Sequence, residues 1–270
     1  MKLSEEMKNK TLLSFELFPP KTEKGLQNLP GTIDHLMKYN PSYISCTYGA
    51  GGGNVGANRE VCQMIKNAGT TPVTHFTVIK NTKEGIKEQL DQYLADGVDH
   101  MLALRGDIPL GETTTCGDFD YATDLVKFVR DTYGDKFEIA VAGSPEGHIS
   151  CRSLESDIAV LKQKQDNGAD YIMTQLCWDM EQFKYWLDAI RKAGITMPVD
   201  VGVMPILDQA ATINMALSRN GCVMDRELSR MAVPKPICSK RCRRKTVRRI
   251  LRQESCRVQR RGYRIYRKTD

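Results

Sequence analysis

The sequence places single polar residues at the ends of short apolar runs, where a ligand could reach them. Glu16 stands within the apolar run FELFPP, just before a double proline. A carboxyl group on an apolar strand loses hydration, which raises its pKa and suits it to act as a general acid near neutral pH. The alternative is a glutamate that pairs with a basic neighbour in the protein interior.

Opposite charges flank a glycine in the run LALRGDIP. Arg105 could clamp a phosphate with two parallel hydrogen bonds, and Asp107 could accept hydrogen bonds from a ring amine or amidine. Gly106 would let a ligand approach the backbone closely. A simple ion pair that stabilises a turn is the alternative interpretation.

Further candidates are histidines, a glutamine and a lysine. His148 follows PEG in a loop, where it could bind a cofactor or face water. His75 lies inside an apolar run, and no other His or Cys stands at the spacing typical of zinc ligands. We therefore interpret His75 as an interior residue rather than a metal ligand, and we predict no metal site. Gln175 in TQLCWD can donate and accept hydrogen bonds, which suits the edge of a heterocycle. Lys162 and Lys164 are expected on a solvated helix face, although Lys164 could reach a phosphate if the helix turns it inward.

A glycine-rich run, GGGNVG at residues 51–56, matches the G-x-G-x-x-G pattern directly after a strand-like run. A dinucleotide-binding turn also needs an acidic residue about 20 positions on, at the end of the second strand. The stretch around Thr70–His75 has none. We therefore interpret the run as a pliant loop that faces the substrate.

Apolar runs alternate with helical patterns along the first 220 residues. Seven strands are predicted, at Leu12–Phe18, Tyr43–Tyr48, Val73–Ile79, His100–Leu104, Glu138–Ala142, Tyr171–Leu176 and Val199–Met204. Each is followed by a predicted helix, at Gly25–Lys38, Asn58–Asn67, Lys83–Asp96, Tyr121–Thr132, Ser153–Asn167, Met180–Lys192 and Gln209–Arg219. Several helices end at glycine, namely Gly97, Gly168, Gly194 and Gly221.

This alternation favours an α/β fold of the (β/α)₈ TIM-barrel type. In such a barrel the catalytic groups lie at the carboxyl ends of the strands, and candidate residues fall there on several strands: Glu16, Thr47, His75, Asp107 and Gln175. A doubly wound open sheet is the alternative, and it would concentrate its site at one switch point. A length of 270 residues suits a single large barrel.

The net charge of +6 averages two unlike parts. Residues 235–270 hold 15 basic residues against two acidic ones, a charge of +13, whereas residues 1–234 carry −7. We therefore expect a barrel domain over 1–234 and a basic, atypical and poorly ordered tail over 235–270.

The amino terminus carries Glu5 and Glu6 where a signal peptide would need an unbroken apolar stretch, and no apolar run approaches 18 residues. The nine cysteines are an odd number and cannot all pair within one chain. These features predict a cytoplasmic protein with reduced thiols and no membrane association.

Eight motifs in order closely resemble the methylenetetrahydrofolate reductase family over about residues 11–232: FELFPP, SCTYGAGG, THFT, ALRGD, SPEGH, LKQKQDNGAD, TQLCWD and GVMPI. The resemblance implies a flavin-bearing (β/α)₈ barrel. It would reduce 5,10-methylenetetrahydrofolate to 5-methyltetrahydrofolate, with FAD as cofactor and NADH or NADPH as electron donor. A homo-oligomer or an electron-delivering partner is possible.

The resemblance also implies roles for individual residues. Glu16 would be the acid that helps open the imidazolidine ring, Asp107 would hold the pterin and influence the flavin, and Gln175 would contact the folate. The flavin contacts would be Thr47, His75, Arg105, Ala142, His148, Asp157 and Lys164. The sequence departs from the family at Ser144, where a tyrosine is usual, at Gln163, where arginine is common, and at Gln209, near an aromatic position.

The tail after Pro234 does not follow the family, which would continue through a last helix and an eighth strand. Its composition suggests translation in a shifted frame, so the eighth strand is expected to be missing or aberrant. The stretch 262–266 could imitate that strand. Alternatives, ranked after the aberrant terminus, are a basic arm that binds nucleic acid and an inactive barrel that associates with partners.

Overall fold

The computed structural model describes residues 2–20, 22–48, 55–108, 112–148, 150–204 and 266–268, with the backbone alone at 55, 56 and 266–268. Its strands are β1 Ser14–Leu17, β2 Tyr43–Cys46, β3 Thr71–Thr77, β4 His100–Leu104, β5 Glu138–Gly143, β6 Tyr171–Thr174, β7 Val199–Asp200 and β8 Tyr266–Lys268. Its helices are α1 Leu3–Asn9, α2 Glu23–Met37, α3 Val55–Asn67, α4 Lys83–Ala95, α5 Ala122–Tyr133, α6 Leu154–Asp166 and α7 Met180–Lys192, with a 3-10 turn at Gly134–Lys136.

The seven predicted strands are present, and six of the seven predicted helices follow them as α2 to α7. The seventh, Gln209–Arg219, lies outside the described residues, as do most of the glycine-rich run and the glycine at 221. Three predicted glycine ends are confirmed, because Gly97, Gly168 and Gly194 have φ of 68°, 102° and 78°, the left-handed region that favours glycine.

The sheet runs in the order β7-β6-β5-β4-β3-β2-β1-β8, with every described pair parallel. Strands that follow each other in sequence are therefore neighbours from β1 to β7, and the order never reverses. A doubly wound sheet needs such a reversal at its switch point. The fold is thus the predicted α/β barrel type, and the doubly wound alternative is wrong.

An eighth strand is present, in an aberrant form. It consists of three residues of the basic tail, and it pairs in parallel with β1, with Glu16 opposite Lys268 in the ladder. Of the two expectations, a missing or an aberrant strand, the second is therefore observed. The edge of β1 that faces away from β2 is therefore hydrogen-bonded to β8.

Two apolar layers line the strands. Residues that point outward, such as Ile44, Phe76 and Ile172, form a core with the surrounding helices. Residues that point inward, such as Val73 and Leu102, form a second cluster inside the barrel. Because side chains alternate between the two faces of a strand, each strand contributes to both layers.

Helix α1, which the sequence analysis did not predict, joins the inner layer. Leu3 is buried and Met7 packs against the same inner cluster. The N–H groups of Leu3 and Ser4 donate hydrogen bonds to the Glu138 carboxylate, at 2.7 and 2.6 Å. Since Glu138 begins β5, α1 lies against the amino-terminal end of the barrel, opposite the end where the strands finish.

Candidate active site

Five of the sequence-predicted residues lie on the same face of the sheet: Glu16, Thr47, His75, Ala142 and Gln175. The ladder establishes this through the pairs Glu16 with Ser45, His75 with Leu102, Leu102 with Ala140, and Ala142 with Met173. Thr47 lies two residues beyond Ser45, and Gln175 two residues beyond Met173. Because Leu102, Ala140 and Met173 belong to the inner cluster, these positions face the barrel interior near the carboxyl ends of the strands.

Glu16 and His75 approach each other across the barrel interior. The Oε2 atom of Glu16 lies 3.9 Å from Nε2 of His75, and the two side chains are 18% and 9% exposed. A basic neighbour of Glu16 therefore exists, as the alternative interpretation required, and it carries a charge only when protonated. The pair joins a carboxyl group and an imidazole, and at 3.9 Å a proton would pass between them through one bridging water or after a small side-chain movement.

The end of β2 is tied to the end of β1. The Thr47 N–H donates a hydrogen bond to the Leu17 carbonyl at 2.9 Å, so Thr47 is fixed two residues beyond Ser45, the residue that pairs with Glu16. Thr47 is half-buried.

A group of basic residues surrounds the loop after β5. Lys164 turns inward and donates a hydrogen bond from Nζ to the Ala142 carbonyl at 3.0 Å. The expectation of a solvated face is wrong for Lys164, whereas Lys162 pairs with Asp166 on the surface. The backbone N–H of His148 donates to Oδ2 of Asp157 at 3.2 Å, which ties this loop to α6.

Burial and neighbouring charges shift the pKa values of two of these basic residues, His148 and Lys164. Burial lowers the pKa of Lys164, although the charge of Asp157 opposes this shift. Burial also lowers the pKa of His148, and the positive charges of Arg105 and Lys164 lower it further, while Asp157 opposes the shift. Arg105 and Lys164 therefore place positive charge around His148, whose lowered pKa favours the neutral imidazole, and an anionic ligand would offset that charge.

Arg105 and Asp107 do not form the turn-stabilising ion pair considered above. Within the parts of the chain that the structure describes, no ion pair joins them; instead Nε of Arg105 donates to the Gly106 carbonyl at 3.3 Å. Asp107 is exposed at the barrel mouth. Gly106 has φ of 85°, and a Cβ atom there would lie 2.5 Å from Cγ1 of Ile79, so the turn requires glycine.

Gln175 is anchored through its backbone. Its N–H donates to the Gly143 carbonyl at 2.7 Å, and its own Oε1 accepts from the Leu176 N–H at 2.9 Å. The bond to Gly143 joins the ends of β5 and β6 at the same rim where Ala142 lies, and the bond to Leu176 fixes the Gln175 side chain against its own backbone.

The sequence analysis missed Asn58, a fully buried side chain of α3. It donates hydrogen bonds to the carbonyls of Cys46 and Thr47 at the end of β2. The only signal in the sequence was that Asn58 began a predicted helix, which says nothing about a buried amide.

The fold and the site together define a class: a (β/α)-barrel protein with a polar site at the carboxyl ends of its strands. Residues 2–234 match the family model described as methylenetetrahydrofolate reductase. The chain therefore belongs to the methylenetetrahydrofolate reductase family, and the resemblance read from its motifs is confirmed.

Individual relatives agree with the family match. The chain is 38% identical over 219 residues to methylenetetrahydrofolate reductase (NADH) 1 of Arabidopsis thaliana, covering 76% of this chain and 37% of the relative. It is 34% identical over 202 residues to 5,10-methylenetetrahydrofolate reductase of Escherichia coli, covering 74% of this chain and 67% of the relative. The chain thus spans little more than a third of the plant relative's length.

Among solved structures, the fold resembles an uncharacterized protein from Clostridium thermocellum described as binding two copies of 5-methyl-5,6,7,8-tetrahydrofolic acid. The TM-score is 0.65 at 14% identity, with 98% of this chain and 91% of that chain covered. At this identity the likeness concerns the fold. No helix in the described ranges combines the length and the apolar character needed to cross a membrane.

Proposed function

We propose that the protein catalyses the flavin-dependent reduction of 5,10-methylenetetrahydrofolate to 5-methyltetrahydrofolate with a reduced nicotinamide as electron donor. The observation that carries the proposal is the approach of Glu16 to His75 at the mouth of the barrel, within the segment that matches the family model. The shared inward face of Thr47, Ala142 and Gln175 supports it.

The chemistry of the site fits FAD. Arg105 and Lys164 place two positive charges beside His148, with the half-buried carboxylate of Asp157 as one counter-charge, and a diphosphate would supply further anionic partners. The residues that would hold the cofactor are those named from the sequence: Thr47, His75, Arg105, Ala142, His148, Asp157 and Lys164. The bound flavin would supply a two-electron carrier that accepts hydride from the nicotinamide and passes it to the folate.

The protein's own contribution to the chemistry is a proton. Opening the imidazolidine ring breaks a carbon–nitrogen bond, and the departing nitrogen needs a proton that Glu16 would donate. The resulting iminium carbon then accepts hydride and becomes the methyl group of the product. His75, 3.9 Å from Glu16, stands where it could return a proton to the carboxylate after turnover.

The remaining residues would orient the substrate. Asp107, exposed beyond the end of β4, would accept hydrogen bonds from the pterin, and Gln175 would contact the folate. Correct orientation of the reacting carbon supplies a large part of a rate enhancement. Reduction by the nicotinamide and oxidation by the folate would alternate at one site, so we propose ping-pong kinetics.

The names of the plant relatives specify NADH, and we propose NADH as the donor, with NADPH as the alternative. A homo-oligomer or an electron-delivering partner stays a prediction. If neither nicotinamide reduces the protein, a partner protein becomes the electron source to seek.

The experiment is anaerobic turnover by the purified full chain, supplemented with FAD. We expect the protein to show flavin absorbance that decreases when NADH is added. Methylenetetrahydrofolate should restore this absorbance, and mass spectrometry should then detect 5-methyltetrahydrofolate. A colourless protein that binds no added FAD would contradict the proposal and favour an inactive barrel. Retention on RNA that is lost at high salt would instead favour the basic-arm alternative.

A further inference from the structure

The end of β2 leaves two backbone carbonyl groups in the protein interior, those of Cys46 and Thr47. A buried carbonyl without a partner destabilises a fold, so the hydrogen bonds that these two groups accept stabilise the end of the strand. The side-chain amide of Asn58 donates to both: its Nδ2 lies 3.0 Å from the Cys46 oxygen and 3.1 Å from the Thr47 oxygen.

The oxygen atom of the Asn58 amide also forms hydrogen bonds. Its Oδ1 accepts hydrogen bonds from Oγ1 of Thr74 at 2.8 Å and from the Tyr93 hydroxyl at 2.6 Å. The side chain is completely buried, and both of its N–H donors and its acceptor oxygen are satisfied. Asn58 therefore joins four elements: α3 on which it lies, β2, β3 and α4.

The residues that Asn58 contacts flank the site. Thr47, held through its carbonyl, faces the barrel interior, and its N–H is bonded to Leu17 next to Glu16. Thr74, held through its hydroxyl, immediately precedes His75, which faces the interior towards Glu16. Asn58 thus holds the backbone of β2 through two carbonyl groups and contacts β3 through the Thr74 hydroxyl, on the side of the strands away from the site.

We propose that Asn58 is a positioning residue, which holds Thr47 and His75 in the orientation needed to bind the cofactor. The inference rests on the proposed function, since it concerns two proposed flavin contacts. A buried hydrogen-bond network with every member satisfied is rigid, and this one specifies where two strands end. Asn58 itself would not touch substrate or cofactor.

The test uses substitutions of nearly equal size. Asn58→Leu removes both donors and the acceptor, whereas Asn58→Asp keeps the acceptor and removes the donors. Tyr93→Phe is the matched control, because it removes one bond to Asn58 Oδ1 and leaves both carbonyl bonds intact. If Asn58 positions β2, Asn58→Leu should weaken FAD binding about tenfold or more, whereas Tyr93→Phe should weaken it far less.

A readout without cofactor separates positioning from general destabilisation. Amide hydrogen exchange in the full chain without FAD should accelerate at Thr47 and His75 in Asn58→Leu. It should stay unchanged at Leu3 and Ser4, whose amides are bonded at the opposite end of the barrel. Equal acceleration at both ends would mean a purely structural role and would overturn the proposal.

The Asn58→Asp variant adds a pH dependence that the wild type lacks. A buried carboxyl group facing two carbonyl oxygens should stay protonated to higher pH than usual, and in that form it can donate one hydrogen bond. Protection at Thr47, corrected for intrinsic exchange, should therefore recover partly at pH 5 relative to pH 8. An equal loss at both values would contradict the donor role of the amide.

The two proposals can fail separately. A wild-type chain that binds no FAD would contradict the proposed function, and the exchange at Thr47 would still decide whether Asn58 holds β2. Conversely, FAD binding by Asn58→Leu as tight as that of the wild type would overturn the positioning role while leaving the proposed function intact.

Discussion

At the scale of single residues, the site combines groups that the sequence already singled out with contacts that it could not show. Glu16 was predicted as an acid or as the partner of a basic neighbour, and the structure brings His75 to 3.9 Å from it. Both interpretations can hold together, because an imidazole that pairs with a carboxylate can also supply it with protons.

The role of Glu16 can be tested by Glu16→Gln. We expect the variant to bind FAD and to be reduced by the donor at the normal rate, because the amide keeps the size of the side chain. Folate reduction should fall about 100-fold or more, the scale of general acid catalysis. Glu60→Gln, at an exposed position of α3, is the control and should match the wild type. Folate turnover near the normal rate in Glu16→Gln would remove Glu16 from the chemistry.

Lys164 and Lys162 form a natural pair for testing the cofactor site, since they lie two residues apart on α6. Lys164→Met should lower FAD affinity about tenfold or more, because it removes a cation from the buried group around His148. Lys162→Met should leave the affinity unchanged, since Lys162 pairs with Asp166 at the surface. Titration of the apoprotein with FAD, followed by flavin fluorescence, measures both. Equal affinities in the two variants would place the diphosphate elsewhere.

At the scale of elements, α1 covers the amino-terminal end of the barrel and is held there by the Glu138 carboxylate, which also pairs with His100. His100 lies 2.9 Å from Glu138 through Nε2, and Glu138 also accepts the bonds from α1. Burial opposes both charges, yet the neighbouring groups outweigh it. The contact with His100 and the hydrogen bonds from the start of α1 lower the pKa of Glu138 to about 2, and the carboxylates of Asp99 and Glu138 raise the pKa of His100 to about 9.

This pair predicts how stability depends on pH. The pKa of Glu138 falls below its ordinary 4.5, so its contribution is present above pH 4.5 and is lost as the pH falls towards 2. The pKa of His100 rises above its ordinary 6.5, so its contribution is present below pH 6.5 and is lost as the pH rises through 9. The stabilisation by the pair is therefore greatest between pH 4.5 and 6.5.

Urea unfolding of Glu138→Gln checks this expectation. At pH 5.5 the substitution should cost about 3 kcal/mol of unfolding free energy, since it removes the buried negative charge that faces both His100 and the N–H groups of α1 and leaves His100 with Asp99 alone. The cost should shrink at pH 9.5, where His100 is neutral in the wild type as well. Glu5→Gln, at an exposed position of α1, serves as the control. A cost that does not change with pH would show that the His100 charge plays no part.

At the scale of the whole molecule, the basic tail supplies a strand to the barrel. We propose two parts, a barrel over 1–234 and an atypical tail over 235–270, with β8 of the tail paired to β1. A barrel whose first strand loses its neighbour exposes an unpaired edge, which favours aggregation. The tail would then contribute to closure despite its unusual composition.

Three proteins separate the roles of the tail: the full chain, a truncation after Pro234, and a chain whose residues 235–270 are replaced by a family-like terminus. Thermal unfolding and flavin fluorescence should rank the truncation lowest and the replacement highest, because a longer eighth strand closes the barrel better. A truncation as stable and as loaded with flavin as the full chain would defeat the closure argument. If that truncation also lost RNA binding, the basic-arm alternative would stand.

The amino-acid sequence by itself determined the order of strands and helices and the residues at the strand ends, because alternation and turn residues are local signals. Thr47, His75 and Gln175 could be named because the barrel brings all carboxyl ends of its strands to one rim. The observed ends of the strands and helices differ from the predicted ends by a few residues, since hydrogen bonds between neighbouring strands decide where a strand stops.

Only the tertiary structure decided which of these groups meet. The inward turn of Lys164, the network around Asn58 and the covering of the barrel by α1 depend on contacts between residues distant in sequence, such as Leu3 and Glu138. Helix α1 has seven residues, too few for a periodic pattern to reveal it. A buried amide and a solvated one look the same in a sequence, because burial and hydrogen-bond partners are properties of the packed chain.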